Sequence, residues 1–200
     1  MERRRTQAER RSDTRKQLLD AAAEVFARRG YREASVAEIA RSAGYSTGAL
    51  YVHFSGKHDL FLALFDTALT EWGMGYLDAT SQAGTVAEMI EAAGRRWGQL
   101  QDENPAQTML FMEFWSVAVR DSDLRGEFAQ RHAAMRATIG SLVAGLRSAT
   151  GVELGVSEEK VGPILTALAD GFALQRLIDP EAVPDSLFIE AVQAVLGIRE

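Results

Sequence analysis

The chain has no cysteine, only three histidines and only four prolines among its 200 residues. The lack of cysteine excludes a disulfide framework, a thiolate metal site and a cysteine nucleophile. No apolar run approaches the roughly 18 residues that a membrane-spanning helix requires. The basic residues 1–5 have no apolar segment close behind them, so we expect no secretory signal there. These absences predict a soluble, cytoplasmic protein with no membrane partner.

Charge is distributed unevenly along the chain. Residues 1–60 contain 12 Lys and Arg against 8 Asp and Glu, whereas residues 61–200 contain 10 against 20. Such an asymmetry is typical of a chain whose basic part meets nucleic acid or a membrane surface. A solvated basic tail is the alternative interpretation of the most basic stretch, which comprises Arg3, Arg4, Arg5, Arg10, Arg11, Arg15 and Lys16.

Apolar residues recur at helical spacing from about residue 18 to the end of the chain, and no segment has the alternation of a strand. We therefore predict an all-α fold of about nine helices. The first helix is expected to begin after a cap at Ser12, Asp13 or Thr14. Pro163 lies within a strongly apolar helical segment and predicts a late start or a kink there.

Residues 36–54 have the organisation of a helix-turn-helix. Ser35 and Glu38 are spaced as a capping box for one short helix, and Ser46 can cap a second beyond the turn at Gly44. Two such short helices need a supporting core, which we assign to Phe26, Ile39, Ala40, Leu50 and Phe54. The outward positions between Ser46 and His53 are small or hydrogen-bonding and never acidic. That surface suits a DNA duplex, which tolerates no carboxylates close to its phosphates.

The stretch from Ser35 to Leu60, with Ala43-Gly44, Leu50-Tyr51, Phe54 and Lys57, closely resembles the DNA-binding head of TetR-type transcriptional regulators. The resemblance covers about residues 14–60. The remaining residues are similar to the AcrR- and BetI-like branches mainly in helix count and order. Tyr45 departs from the usual pattern, because a smaller aliphatic residue is more common there. Its ring could cover the turn or touch a thymine methyl group.

The resemblance implies a role for each residue of the motif. Thr47, Gly48 and Ala49 would face base edges, and Tyr51 and His53 would reach phosphates. The predicted DNA-binding set also includes Ser35, Tyr45, Ser46 and Lys57. Plainer interpretations stay open: Tyr51 as part of the small core, His53 and Lys57 as solvated surface groups, and the arginine-rich arm without any DNA contact.

The rest of the chain is predicted to hold an effector site and a dimer interface. The family resemblance places a cavity in the region of Trp72, Trp97, Phe111, Phe114, Trp115, His132, Asp170 and Phe172, although aromatic stripes are more often plain core. A buried carboxylate such as Asp170 needs a partner, which could be the protein or a cationic ligand. The wide apolar face of the last helices predicts dimer contacts, or closure of the monomer's own core, at Leu165, Leu168, Leu187, Phe188, Ala191, Val192 and Val195.

An all-α enzyme is the main rival from another functional class. His53 and His58 do not share one helix face, and no carboxylate–histidine metal spacing or glycine-rich phosphate loop is present. We therefore predict no catalytic residues, no metal and no cofactor. The predicted organisation is a flexible basic arm (1–13), a helix-turn-helix DNA-binding head (14–60), and an effector-binding and dimerisation domain (61–200). The predicted function is a homodimeric repressor released from a palindromic operator by a small hydrophobic effector. A DNA-free ligand-binding dimer is the alternative.

Overall fold

A computed structural model describes residues 6–198, and nine α-helices and no strands are found in this range. This confirms the predicted all-α architecture. Within the same range, no helix has both the length and the hydropathy that crossing a membrane requires. The helices are α1 (Gln7–Glu33), α2 (Val36–Ser42), α3 (Thr47–Tyr51), α4 (Lys57–Thr80), α5 (Val86–Glu103), α6 (Pro105–Ala118), α7 (Ser122–Thr150), α8 (Glu158–Arg176) and α9 (Asp185–Leu196).

Helix α1 begins earlier than the sequence suggested. The Thr6 hydroxyl accepts from the Glu9 backbone N–H, and the Glu9 carboxylate accepts from the Thr6 N–H. This reciprocal capping box satisfies the free donors of the first turn, so no cap at Ser12, Asp13 or Thr14 is needed. Residues 7–13 are consequently helical rather than a flexible arm. The predicted contribution of Arg3, Arg4 and Arg5 lies outside the described residues.

The two serine caps of the helix-turn-helix are confirmed. Ser35 Oγ accepts from the Glu38 backbone N–H at 3.2 Å, and Ser46 Oγ accepts from the Ala49 N–H at 3.1 Å. The carboxylate of Glu38, which was predicted to bond back to the cap, instead lies 3.4 Å from the guanidinium groups of Arg28 and Arg29. Pro163 lies inside α8, so the predicted late start of that helix was wrong.

The buried apolar side chains form two clusters. The first cluster joins α1, α2 and α3 to the start of α4 and to parts of α6 and α7, with Phe26, Phe61, Phe114 and Phe128 among its rings. The second cluster lies among α5, α8 and α9 and surrounds Trp97. The first cluster is continuous across position 60, so the head shares its core with helices of the following domain.

Candidate DNA-binding surface and interior sites

The tight turn between α2 and α3 presents α3 to the outside. Gly44 adopts φ 76°, a left-handed conformation that glycine accepts without strain. Ile39 of α2 and Leu50 of α3 are fully buried against α1, and Phe54 is 2% exposed. The small core predicted for the head is thus confirmed, and it leaves the opposite side of α3 free.

The free side of α3 and the turn after it carry no Asp, Glu, Lys or Arg side chain, and Val52 is an exposed apolar residue there. Thr47, Gly48 and Tyr51 are exposed, and Ala49 and His53 are half-buried. Tyr51 is 55% exposed, and its hydroxyl has no hydrogen bond to any residue that the structure describes. Because α3 has no acidic residue, nothing on this face repels a phosphate backbone.

Two arginines of α1 lie beside this surface. The guanidinium carbon of Arg15 lies 4.8 Å from the centre of the Phe54 ring. The pKa of His53 is lowered, first by burial and then by the positive charges of Arg11 and Arg15. The spacing of four residues between these arginines, on one face of a helix, could have identified them. The family resemblance implied that the arginine-rich arm before residue 16 could attract DNA, but the sequence did not predict that Arg11 and Arg15 lie on helix α1.

The side chains of Tyr45 and Lys57 have hydrogen-bond partners within the head. The Tyr45 hydroxyl donates to Gln17 Oε1 at 2.5 Å, so its ring covers the turn and connects it to α1. Lys57 Nζ donates to the carbonyls of Arg32 and Ala34, each at 2.9 Å. Burial lowers the Lys57 pKa, while Glu33 acts in the opposite direction. Both residues therefore hold the head together.

A contact between α6 and the end of α1 was not visible in the sequence. Gly30 has φ 74° and interrupts the helical geometry of α1. The Glu113 carboxylate accepts from the Tyr31 backbone N–H at 2.6 Å, and a Cβ on Gly30 would lie 2.7 Å from both Glu113 oxygens. The positive φ favours glycine here, and a Cβ would in addition displace the carboxylate of Glu113. The Glu113 contact attaches the head directly to α6.

The eight residues predicted to line a cavity are divided between the two clusters. Trp72, Phe111, Phe114 and Trp115 belong to the first cluster or pack on it, whereas Trp97 and Phe172 belong to the second or pack on it. The ring of His132 lies 4.9 Å from that of Trp115. Asp170 has no hydrogen bond or ion pair with any described residue, and burial raises its pKa to about 6. Among residues 6–198, the structure thus divides these side chains between two apolar clusters.

The structure has an open cavity of about 360 Å³ at another place, next to the loop between α7 and α8. None of the eight predicted residues lines it; its walls come from Arg147 and residues 153–158. Within residues 6–198, no group of three or more His, Asp or Glu side chains is arranged to hold a metal ion.

The predicted dimer face is also divided. Phe188 and Val192 are buried in the second cluster, and the Phe188 ring stacks on Trp97 at 4.2 Å, so these two residues form the monomer's core. Leu165 and Leu168 pack against the same cluster. Leu187 is exposed, and Ala191 and Val195 are half-buried.

Sequence reasoning missed an outward apolar stripe on α8 and just beyond it. Ala167 and Leu174 are exposed, and Ile178 is 85% exposed. The intervals of seven and four residues between them place all three on one helix face, which is the signal that could have found them.

Comparison with known proteins places this architecture among bacterial regulators. The sequence model of bacterial regulatory proteins of the tetR family matches residues 18–64, and that of the BetI-type transcriptional repressor C-terminal domain matches residues 86–197. The chain is 39% identical over 71 residues to the HTH-type transcriptional regulator AcrR of Shigella flexneri, covering 36% of this chain and 32% of that protein. It is 54% identical over 54 residues to the HTH-type transcriptional activator FasR of Mycolicibacterium smegmatis, covering 27% and 25%. The chain thus spans about a quarter to a third of the length of these curated relatives.

Solved structures share the whole fold. A putative TetR-family transcriptional regulator from Rhodococcus sp. superposes with a TM-score of 0.77 at 24% identity, covering 92% of this chain and 99% of that one. The transcriptional regulator FadR from Bacillus subtilis, in complex with stearoyl-CoA, gives a TM-score of 0.73 at 17% identity, covering 92% and 99%. These relatives are transcriptional regulators with a DNA-binding head and are not enzymes. The C-terminal family model alone matches more than half of the residues of this chain, and the tetR model matches its head. The chain therefore belongs to the TetR family of bacterial transcriptional regulators.

Proposed function

We propose that the protein is a cytoplasmic homodimeric repressor that binds a near-palindromic operator and is released by a small, mainly apolar effector. One observation carries the DNA-binding part: the exposed face of α3 has no acidic side chain, rests on a buried core and lies beside Arg11 and Arg15. The role as a repressor, rather than an activator, is supported by the match of residues 86–197 to the BetI-type transcriptional repressor family.

The exposed residues can divide base and phosphate contacts between them. Thr47, Gly48 and Ala49 lie in the first turn of α3, where a recognition helix meets base edges in the major groove. Tyr51 and His53 at the other end can donate to phosphates, with Arg11 and Arg15 adding attraction that does not depend on sequence.

The capping and bridging residues of the set keep spare hydrogen-bonding capacity. The hydroxyls of Ser35 and Ser46 accept from the backbone, which leaves each hydroxyl proton free to donate to a phosphate. Lys57 has used two of its three donors on carbonyls, so at most one remains for DNA.

Pairing of two chains would double the reading surface, because about three or four side chains of one recognition helix reach base edges. The exposed apolar residues Ala167, Leu174 and Ile178 on and just beyond α8, together with the exposed Leu187 of α9, are available for this purpose. Two recognition helices about 34 Å apart would then meet successive major grooves of one operator.

Effector control requires an element that connects the domain interior with the head. Helix α4, which begins at Lys57 of the head and continues past Trp72, is one candidate, and the Glu113 contact makes α6 a second one. Helix α6 also carries Phe111 and Trp115, whose rings contact Phe128 and His132. A ligand that moves these rings would shift Glu113 and with it the end of α1. It would weaken DNA binding only by its differential affinity for the two arrangements.

The test is selection of bound fragments from a random duplex library, followed by affinity measurements on the recovered site. Tyr51→Ala is expected to weaken binding about 3- to 10-fold, the value of one lost hydrogen bond. Leu77→Ala, at an exposed apolar position on α4 away from the head, is the matched control and should bind as the parent does. Affinity should fall steeply with salt. If no sequence is enriched above background at low salt, the DNA-free ligand-binding dimer would replace this proposal.

A further inference from the structure

His132 is a buried polar residue without a partner. It is 5% exposed, and its Nε2 is fully buried with no hydrogen bond to any residue in the described range. Its ring is surrounded by those of Phe65, Phe111, Trp115 and Phe128, at centroid distances of 5.9, 5.7, 4.9 and 4.7 Å. Buried polar atoms are nearly always hydrogen-bonded, so an unpaired Nε2 indicates a missing partner.

The imidazole is neutral at physiological pH. Burial, and secondarily the charge of Arg136, lower the His132 pKa to about 4. A neutral imidazole offers one N–H donor and one acceptor nitrogen. The charge that acts on the His132 ring is the positive charge of Arg136, whose side chain is half-buried. A cation would therefore be repelled here, and an anion, although attracted by Arg136, would lose its hydration among the four aromatic rings. An uncharged group avoids both costs.

A second unpaired polar atom lies on the helix packed against α7. Thr166 of α8 is 5% exposed, and its Oγ1 has no partner in the described part of the chain. Gly162 packs so tightly on Arg136 that a Cβ would collide with the Arg136 carbonyl oxygen, and Gly140 approaches the Glu158 carbonyl. These two contacts show that α7 and α8 run antiparallel. Thr166 and His132 each lie one turn from the Gly162–Arg136 contact in the same direction, at one level of the helix pair.

We propose that His132 and Thr166 form the polar end of the effector site and bind an uncharged hydrogen-bonding group, a hydroxyl or carbonyl, of a mainly apolar molecule. This inference rests on the proposed function, because it identifies the chemical class of the effector. The apolar body would lie among the aromatic rings of α6 and α7. Since Phe111 and Trp115 flank Glu113 on α6, a molecule that inserts there acts on the helix that holds the end of α1.

The experiment measures binding of 1-decanol, decanoate and decylammonium, which share one alkyl chain, to the full-length protein by calorimetry without DNA. Decanol is expected to bind about tenfold or more tighter than either ion, as the cost of burying an unpaired charge requires. His132→Phe and Thr166→Val should each weaken decanol binding about 3- to 10-fold. His132→Gln, which keeps an uncharged donor and acceptor, should recover part of the loss.

Thr138→Val is the matched control, because Thr138 is an exposed threonine on α7 whose hydroxyl donates to the Ala134 carbonyl. It should bind decanol as the parent does. Equal or tighter binding of either ion, no decanol binding up to its solubility limit, or unchanged binding in both His132→Phe and Thr166→Val would overturn the proposal and leave a buried water as the partner. Operator selection is scored separately. If decanol binding follows the expected pattern but no operator is recovered, the proposed function fails and the ligand site stands.

Discussion

The two apolar clusters are built from the same kinds of side chain but serve different parts of the molecule. In the first, the rings of Phe61 and Phe114 stack at 3.8 Å, and Tyr31 contacts both of them. These contacts unite the head with α4 and α6. In the second, Trp97 stacks on Phe188, and the surrounding helices leave their outer faces to solvent. The head is therefore continuous with the domain interior, whereas the candidate dimer helices rest on a core of their own.

The polar side chains around the two clusters also bond to different kinds of partner. Around the first cluster, Glu113 and Lys57 bond to the backbone of residues 31–34, where α1 ends and leads into α2. Beside the second, the side chain of Arg176 bonds to the carboxylates of Asp102 and Asp185, joining α8 to α5 and α9. The hydrogen bonds of Glu113 and Lys57 connect the backbone of the head to α6 and α4, whereas the arginine network connects three helices outside the head. We therefore expect an effector to move the head through the first cluster.

The most severe disruption of this arrangement is Phe114→Ala. Phe114 is fully buried, so its truncation should lower the free energy of unfolding by about 3–5 kcal/mol. Because its ring contacts Tyr31 and Phe61, we expect the head to lose its support and operator binding to fall with stability. Urea unfolding followed by tryptophan fluorescence measures the first effect, and DNA titration measures the second.

Phe188→Ala is the counterpart in the second cluster. It should cost a similar amount of stability, but under conditions where it remains folded the head should keep its structure. If Phe114→Ala left the hydrogen-exchange protection of α2 and α3 unchanged, the two clusters would not differ as described, and the head would fold independently of α6.

Glu113→Ala removes the hydrogen bond between α6 and the end of α1 without creating a large cavity in the core. It leaves the Tyr31 backbone N–H without its acceptor, at a cost of about 1–3 kcal/mol. Amide hydrogen exchange at Tyr31 should accelerate by the corresponding factor. Glu113→Gln is the matched control, since its amide oxygen can still accept, and it should retain most of the protection. Equal protection in the parent and the alanine variant would remove Glu113 from the coupling.

Local signals were sufficient for the head, whereas long-range contacts escaped sequence reasoning. The caps at Ser35 and Ser46 and the buried Leu50 depend on residues only a few positions apart, so the sequence predicts them well. The Glu113–Tyr31 bond joins residues 82 positions apart, and no periodicity points to it. The family resemblance predicted a phosphate contact for Lys57, but no local pattern predicted its two hydrogen bonds to the carbonyls of Arg32 and Ala34. Phe188 and Val192 were assigned to a partner because periodicity identifies an apolar face but not what covers it.

Asp170→Asn tests the half-buried carboxylate on α8. Burial raises the Asp170 pKa from 3.8 to about 6, so the folded state binds this proton more tightly than the unfolded chain does. The contribution to stability is full below pH 3.8 and is lost as pH rises through about 6. The asparagine variant should therefore be more stable than the parent at pH 8, by about 1–2 kcal/mol after allowing for the solvent that reaches this partly exposed group.

The difference between Asp170→Asn and the parent should vanish near pH 4, and urea unfolding at several pH values measures it. Glu190→Gln, at an exposed carboxylate on α9, is the control for the removal of one negative charge. A gain of the same size at every pH would point to packing rather than to the ionisation of Asp170.

The smallest effect is expected for Tyr45→Phe, and it separates holding the head together from reading DNA. The Tyr45 hydroxyl is engaged by Gln17, so its removal should cost about 0.5–1.5 kcal/mol of unfolding free energy and leave the selected operator sequence unchanged. Tyr51→Phe removes the same atom from a hydroxyl with no partner in the described structure, so it should leave stability unchanged and weaken operator binding. The opposite result, in which Tyr45→Phe alters the preferred sequence at constant stability, would mean that Tyr45 leaves α1 when DNA binds and reads a base after all.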